Sequence, residues 1–190
     1  IIYYFTMGLT KTPICEFGKK ADDFNLKSTS NKMISLNDVK GENGTLIMFI
    51  CNHCPYVLAT IKEAVNNSKE LENEGIKSLA IMSNDPKVYE EDSFENMINF
   101  AKDYEFNFPY VIDETQEIGK SYGAVCTPDF FGYNNNFELQ YRGRIRELKD
   151  LKPTGNGESE LLRAMKMIAK TGKGPKEQYP SMGCSIKWFK

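Results

Sequence analysis

The sequence predicts an α/β domain, and three features of its 190 residues carry that reading. Short apolar runs at Leu46–Ile50, Ile76–Met82 and Tyr110–Ile112 suit strands covered on both faces. Between them lie stretches whose apolar residues recur at helical spacing. Proline and glycine stand at the joints, where one kind of element gives way to the other.

Taken in order, residues 1–20 show no clear period and read as an N-terminal extension. Asp23-Phe24-Asn25-Leu26 is a short extended piece, polar residues 27–32 make a turn, and Met33–Leu36 returns as its partner. Gly41 and Gly44 punctuate a loop before the buried strand Leu46–Ile50. From Pro55 the pattern becomes helical, with Val57, Ile61, Ala64, Val65 and Leu71 on one face and Gly75 after the end. Ile76–Met82 is the next strand. Ser93 is a suitable N-cap for a helix with Phe94, Met97, Ile98 and Ala101 on one stripe. Tyr110–Ile112 and a short helix around Ile118 follow. Phe130–Tyr133 and Phe137–Tyr141 flank Asn134-Asn135-Asn136 and read as a hairpin. A last helix over roughly residues 158–170 turns Leu161, Leu162, Met165 and Ile168 inward, with Gly172 ending it. The domain is expected over 21–172, and the tail 173–190, with Cys184 and Trp188, is expected to pack on it.

Composition narrows the function. A chain of this length can bury about 70% of its unfolded surface, so it has no need of disulfides to fold. A net charge of −2 makes nucleic acid and anionic membranes poor partners. No run of 18 apolar residues offers a spanning helix. Ile1–Phe5 is too short for a signal core. The sequence opens on Ile, and Met7 is a candidate natural start. Five cysteines are too few for a secreted disulfide scaffold, and two stand three apart, which points to catalytic or metal use in a reducing, cytoplasmic setting.

Those two lie in Cys51-Asn52-His53-Cys54-Pro55, where a buried strand runs into a helix. A helix start offers unpaired N–H groups and partial positive charge, which stabilise a thiolate. Cys51 is therefore expected to have a lowered pKa and to attack, with Cys54 resolving the mixed disulfide. His53, the one histidine of the chain, would favour the Cys51 thiolate when cationic. The bland alternative is a pair of inert buried cysteines, but such pairs rarely flank polar residues at a helix start. A second feature is Cys126-Thr127-Pro128. Only about one X–Pro bond in twenty is cis. Its place after the third strand nonetheless favours a cis Thr127–Pro128 turn presenting backbone to a substrate thiol, with Cys126 beside the Cys51–Cys54 pair.

The order of these motifs, with Phe108-Pro109-Tyr110, Asp113-Glu114-Thr115 and the tail Pro180–Trp188, resembles the thioredoxin superfamily. More narrowly it resembles the AhpC/TSA (redoxin) branch, in the peroxiredoxin-like group that carries a CxxC. The resemblance spans about residues 20 to 188. It implies a central mixed sheet flanked by helices, with an N-terminal β extension. It also implies an exposed nucleophile at Cys51, a resolving thiol at Cys54 and a cis-proline at Pro128 opposite them. No cofactor beyond the redox-active disulfide is expected, and the protein is expected to act as monomer or homodimer on a protein or small-molecule thiol or disulfide.

The sequence departs from peroxiredoxins at one position. They carry Thr three residues before the reacting Cys, and here that residue is Met48. Arg142 or Arg144 is a candidate for replacing its electrostatic help. Thioredoxin carries a buried acid under its CxxC, and Leu46–Ile50 has none, so proton handling falls to His53. Three readings compete. The first is thiol–disulfide exchange. The second is hydroperoxide reduction through a sulfenic acid at Cys51. The third is a metal-binding protein, holding Cu(I) on Cys51, Cys54 and His53, or zinc with Cys126 and Cys184 added. The missing Thr favours the first over the second, and the absence of a second CxxC counts against zinc. Cys184 reads either as a packed apolar cysteine or as a further thiol, pairing with Cys126 or approaching the site; Cys15 is assigned no role.

Overall fold

A computed structural model of the chain describes residues 8–190. The apolar Ile1–Phe5 run and the candidate start at Met7 lie outside the described residues. At the centre stands β4 (Gly44–Phe49), buried at every position. Its side chains alternate between two cores, with Leu46 and Met48 on one face of the sheet and Ile47 and Phe49 on the other. That alternation explains the unbroken apolar run, since neither face meets water.

Helix α1 (Pro55–Glu72) follows, with Pro55 in its first turn. It leads to β5 (Ile76–Met82), and α2 (Phe94–Asp103) leads on to β6 (Tyr110–Ile112). Strands β4, β5 and β6 are parallel neighbours, joined by crossover helices. The hairpin of β2 (Asn25–Ser28) and β3 (Met33–Ser35) adds antiparallel strands beyond β6. On the other side β8 (Asp129–Tyr133) pairs antiparallel with β4, and β9 (Leu139–Arg142) pairs with β8. The result is one seven-stranded mixed sheet in the order β3-β2-β6-β5-β4-β8-β9. Helix α4 (Glu160–Thr171) closes the first face beside α1, turning in Leu161, Leu162, Met165 and Ile168. It lies so close to β8 that a Cβ on Gly132 would meet Met165 Sδ at 2.5 Å. Helix α3 (Glu117–Tyr122) covers the opposite face with Tyr122.

One local expectation differs from the structure. In α2 Ser93 caps the helix through Asn96 N at 3.3 Å, but Ile98 faces solvent and Phe100 takes the inward place. The helix dips toward β6 through an aromatic group of Phe100, Phe106 and Tyr110, and that sets which face is buried. The termini come together. Strand β1 (Leu9–Lys11) pairs with β12 (Met182–Ser185), and β12 pairs with β7 (Cys126–Thr127). Both ends of the described chain are therefore woven into a small sheet of three strands beside the Thr127–Pro128 peptide. A further hairpin, β10 (Leu148–Lys149) with β11 (Lys152–Pro153), stands at the surface.

Candidate active site

Three segments meet where β4 ends. The chain leaves β4 through Ile50, and Cys54 is the extended residue that precedes α1. Opposite, the Thr127–Pro128 peptide is cis. Thr127 addresses both thiols. Its hydroxyl lies 3.4 Å from Cys51 Sγ, and its carbonyl accepts from Cys54 Sγ at 3.1 Å. The third segment is the tail. Pairing of β12 with β7 sets Cys184 opposite Thr127, and Cys184 Sγ lies 3.0 Å from Cys54 Sγ.

Gly183 makes this approach possible, because any Cβ there would collide with the Thr127 carbonyl. Cys126 faces elsewhere. It sits opposite Ser185, and its Sγ lies 3.8 Å from the Pro128 carbonyl. The expectation that Cys126 joins the thiol group is thus corrected in favour of Cys184, because alternate residues of a strand point to opposite sides. The same register separates Cys184 from Cys126 as a disulfide partner.

A second correction concerns exposure. Cys51 is only 1% exposed and Cys54 is fully buried. The loop between β5 and α2 lies over the motif. Asp92, itself fully buried, accepts from the Asn52 N–H at 2.8 Å and from Asn84 Nδ2 at 2.9 Å, and stands 2.8 Å from His53 Nδ1. Asn52 Nδ2 donates to the Glu91 carbonyl at 2.9 Å, and its Oδ1 accepts from the Tyr110 hydroxyl at 2.8 Å. The Tyr89 ring stacks on the His53 imidazole with centroids 4.0 Å apart. So the buried acid missing from β4 is supplied by this loop. In sequence Asp92 is one of three consecutive acidic residues and looks like part of a solvated run. Only the loop's path over the helix start distinguishes it.

These contacts set the charges. Burial pulls the His53 pKa down, but the hydrogen bond and charge of Asp92, with the charges of Cys54 and Glu91, outweigh it and leave it raised. Burial pushes the Cys51 thiol well up, helped by its hydrogen bond to Cys54 and the charge of Asp92. Cys54 goes down, because hydrogen bonds from Cys184 and Cys51 and from the Val57 backbone outweigh its burial. The expected lowering at Cys51 is therefore corrected.

The arginines considered as electrostatic helpers are engaged elsewhere. Arg142 forks onto the buried Asp129 through Nε at 3.3 Å and Nη2 at 2.9 Å, and Arg144 pairs with Glu160 at 2.7 Å. Burial pushes Asp129 up to about 6, against the hydrogen bonds and charge of Arg142. As for metals, among the described residues one close set offers three ligand atoms within 4.8 Å of one another: Cys51, His53 and Asp92. The sets of Cys51, Cys54 and His53 and of four cysteines are not gathered in that way. Among the described residues no helix is long and apolar enough to cross a membrane.

A thiol-disulfide oxidoreductase ResA from Bacillus thuringiensis subsp. konkukian is 30% identical over 125 residues, which is 64% of this chain and 66% of that protein. The chain spans between 61% and 66% of the length of the curated relatives it matches. An uncharacterized conserved protein from Geobacillus kaustophilus superposes with a TM-score of 0.91 at 36% identity, over 97% of this chain and 98% of that one. A putative thioredoxin from Neisseria meningitidis, at 19% identity and a TM-score of 0.62 over 81% of this chain and 92% of that one, shares the fold. Residues 17–148 match the AhpC/TSA family. The chain belongs to the AhpC/TSA family, the redoxin branch of the thioredoxin superfamily.

Proposed function

We propose that the protein is a thiol–disulfide oxidoreductase in which Cys51 attacks and Cys54 resolves. The observation that carries this is the placement of the two thiols at the strand-to-helix junction, both within reach of Thr127. Cys51 is the thiol beside the partly exposed His53, and Cys54 lies deeper against the tail. Cys51 gives up its proton to become the nucleophile. The Cys51 thiolate then attacks a substrate disulfide, forms a mixed disulfide and releases one substrate thiolate. Cys54, losing its proton, attacks Cys51 and releases the second. The substrate gains two electrons, and the protein is left with a Cys51–Cys54 disulfide. The name of the ResA relatives supports a thiol or disulfide substrate, protein or small molecule.

Reduction of insulin disulfides in the presence of dithiothreitol tests this. Wild type is expected to catalyse it, and Cys51→Ser and Cys54→Ser are expected to fall to the uncatalysed rate. Equal rates for wild type and Cys51→Ser would refute the assignment.

A peroxidase reading keeps one observation in its favour. The hydroxyl missing at Met48 is replaced in space by that of Thr127, 3.4 Å from Cys51 Sγ. No arginine accompanies it, since Arg142 and Arg144 pair with Asp129 and Glu160. Stopped-flow oxidation by hydrogen peroxide at the rate of a free thiol would dismiss that reading.

A further inference from the structure

We propose that Cys184 is a third redox thiol, which takes over the disulfide from Cys51 so that the bond comes to lie between Cys54 and Cys184. This rests on the exchange reading above, which supplies the Cys51–Cys54 disulfide. The observation is a contact between two sulfurs. Cys184 Sγ lies 3.0 Å from Cys54 Sγ, while a disulfide needs about 2.05 Å, so only about 1 Å of closure separates contact from bond. Two features hold it there. The β12–β7 register fixes Cys184 opposite Thr127, whose carbonyl also meets Cys54 Sγ at 3.1 Å. Gly183 allows β12 to come against that carbonyl.

The step balances without any outside reagent. The Cys184 thiolate attacks Cys54 Sγ, the Cys51–Cys54 bond breaks, and Cys51 leaves as a thiolate. The proton that Cys184 gives up ends on Cys51. No electrons enter or leave, so the two oxidising equivalents stay in the protein while Cys51 becomes free. The timing is built in. In the reduced protein the hydrogen bond and charge of Cys54 are the main causes, with burial, that hold Cys184 protonated, and Lys187 opposes them. Once Cys54 enters a disulfide it carries no charge, and only burial and Cys126 are left against Lys187.

What this adds to a two-cysteine cycle is a free Cys51 in a protein that still holds two oxidising equivalents. The Cys54–Cys184 bond would be buried at both ends, as the Cys51–Cys54 bond is. Meanwhile Cys51 could engage a second substrate.

The test uses the full chain with Cys51→Ser, oxidised by one equivalent of diamide, blocked with N-ethylmaleimide, digested and mapped by mass spectrometry. The expected result is an intramolecular link between the peptides of Cys54 and Cys184 in the monomer fraction. Wild type at partial oxidation is expected to hold both Cys51–Cys54 and Cys54–Cys184 bonds in a fixed ratio. Cys184→Ala, which keeps the packing volume small and apolar, is expected to shift the equilibrium with glutathione by about tenfold. A Cys51→Ser protein that stays reduced, links only between molecules or joins Cys54 to Cys126 would overturn the proposal. So would an unmoved glutathione equilibrium in Cys184→Ala. The exchange reading fails separately: it falls if wild type never forms Cys51–Cys54 and leaves insulin unreduced, whatever Cys54 and Cys184 do.

Discussion

Asp92 Oδ2 lies 2.8 Å from His53 Nδ1, and this contact joins a buried carboxylate to the dipeptide between the two thiols. The histidine is the partly exposed member of the pair, and the carboxylate is sealed beneath it, held also by Asn52 and Asn84. Asp92→Asn removes the chief opponent of burial at His53. The imidazole pKa should fall from its raised position, and a nuclear magnetic resonance titration of the single histidine reads this directly. An unchanged titration would show that Asp92 does not set it.

The same contact makes stability depend on pH. The folded pKa of His53 is raised above the ordinary value of 6.5. A folded protein that binds the proton more tightly than the unfolded chain is stabilised by it. The stabilisation is complete below about pH 6.5 and fades as pH climbs through the folded value. The gap in denaturation midpoint between wild type and His53→Gln should therefore be wider at pH 6 than at pH 9. A gap that widens with pH would contradict the ion pair.

Tyr89 stacks on His53, and the loop that carries it lies over Asn52. Tyr89→Ala should loosen that cover without touching a thiol. Alkylation of the native reduced protein by iodoacetamide should then run about tenfold faster, with the label mapped to Cys51. No acceleration would mean that substrates reach the sulfur by another route.

Arg142 and Asp129 form a buried fork next to the cis Thr127–Pro128 peptide, with the guanidinium also stacked 4.5 Å from the Phe131 ring. Removing one member leaves the other charged and unsolvated. Arg142→Leu should cost about 3–5 kcal/mol in urea unfolding. The loss should shrink as pH falls towards 6, because without Arg142 the buried Asp129 takes its proton above the value of about 6 that it has in the pair. A change under about 1 kcal/mol would mark the pair as dispensable.

Much of this architecture is legible in the residues themselves. Leu46–Phe49 announces a strand covered on both sides, because no polar residue interrupts it. Pro55 and Gly75 bracket α1, and Ser93 caps α2, because a helix end must satisfy its own amides and carbonyls. The Cys51–Cys54 motif is legible for the same reason, as chemistry attached to a helix start. The rest depends on distant pairing. Asp92 lies 38 residues beyond Cys54 in a run of acids, and nothing local marks it as buried. Cys184 against Cys54 depends on a register between β12 and β7, two short strands with no periodicity to read. The expected depression of the Cys51 pKa followed from the helix start alone. It gave way to burial and to a neighbouring thiol that lies nearer the same amides.

The strand β12 sits late in the chain, yet it forms one wall around the reactive sulfurs. On the ribosome, Cys51 and Cys54 emerge long before Cys184. Until residues 182–185 are released, the pair stands with one wall open. Every nascent chain therefore passes through an interval in which its sulfurs are made but not yet walled in. A strand made late in synthesis ends that interval.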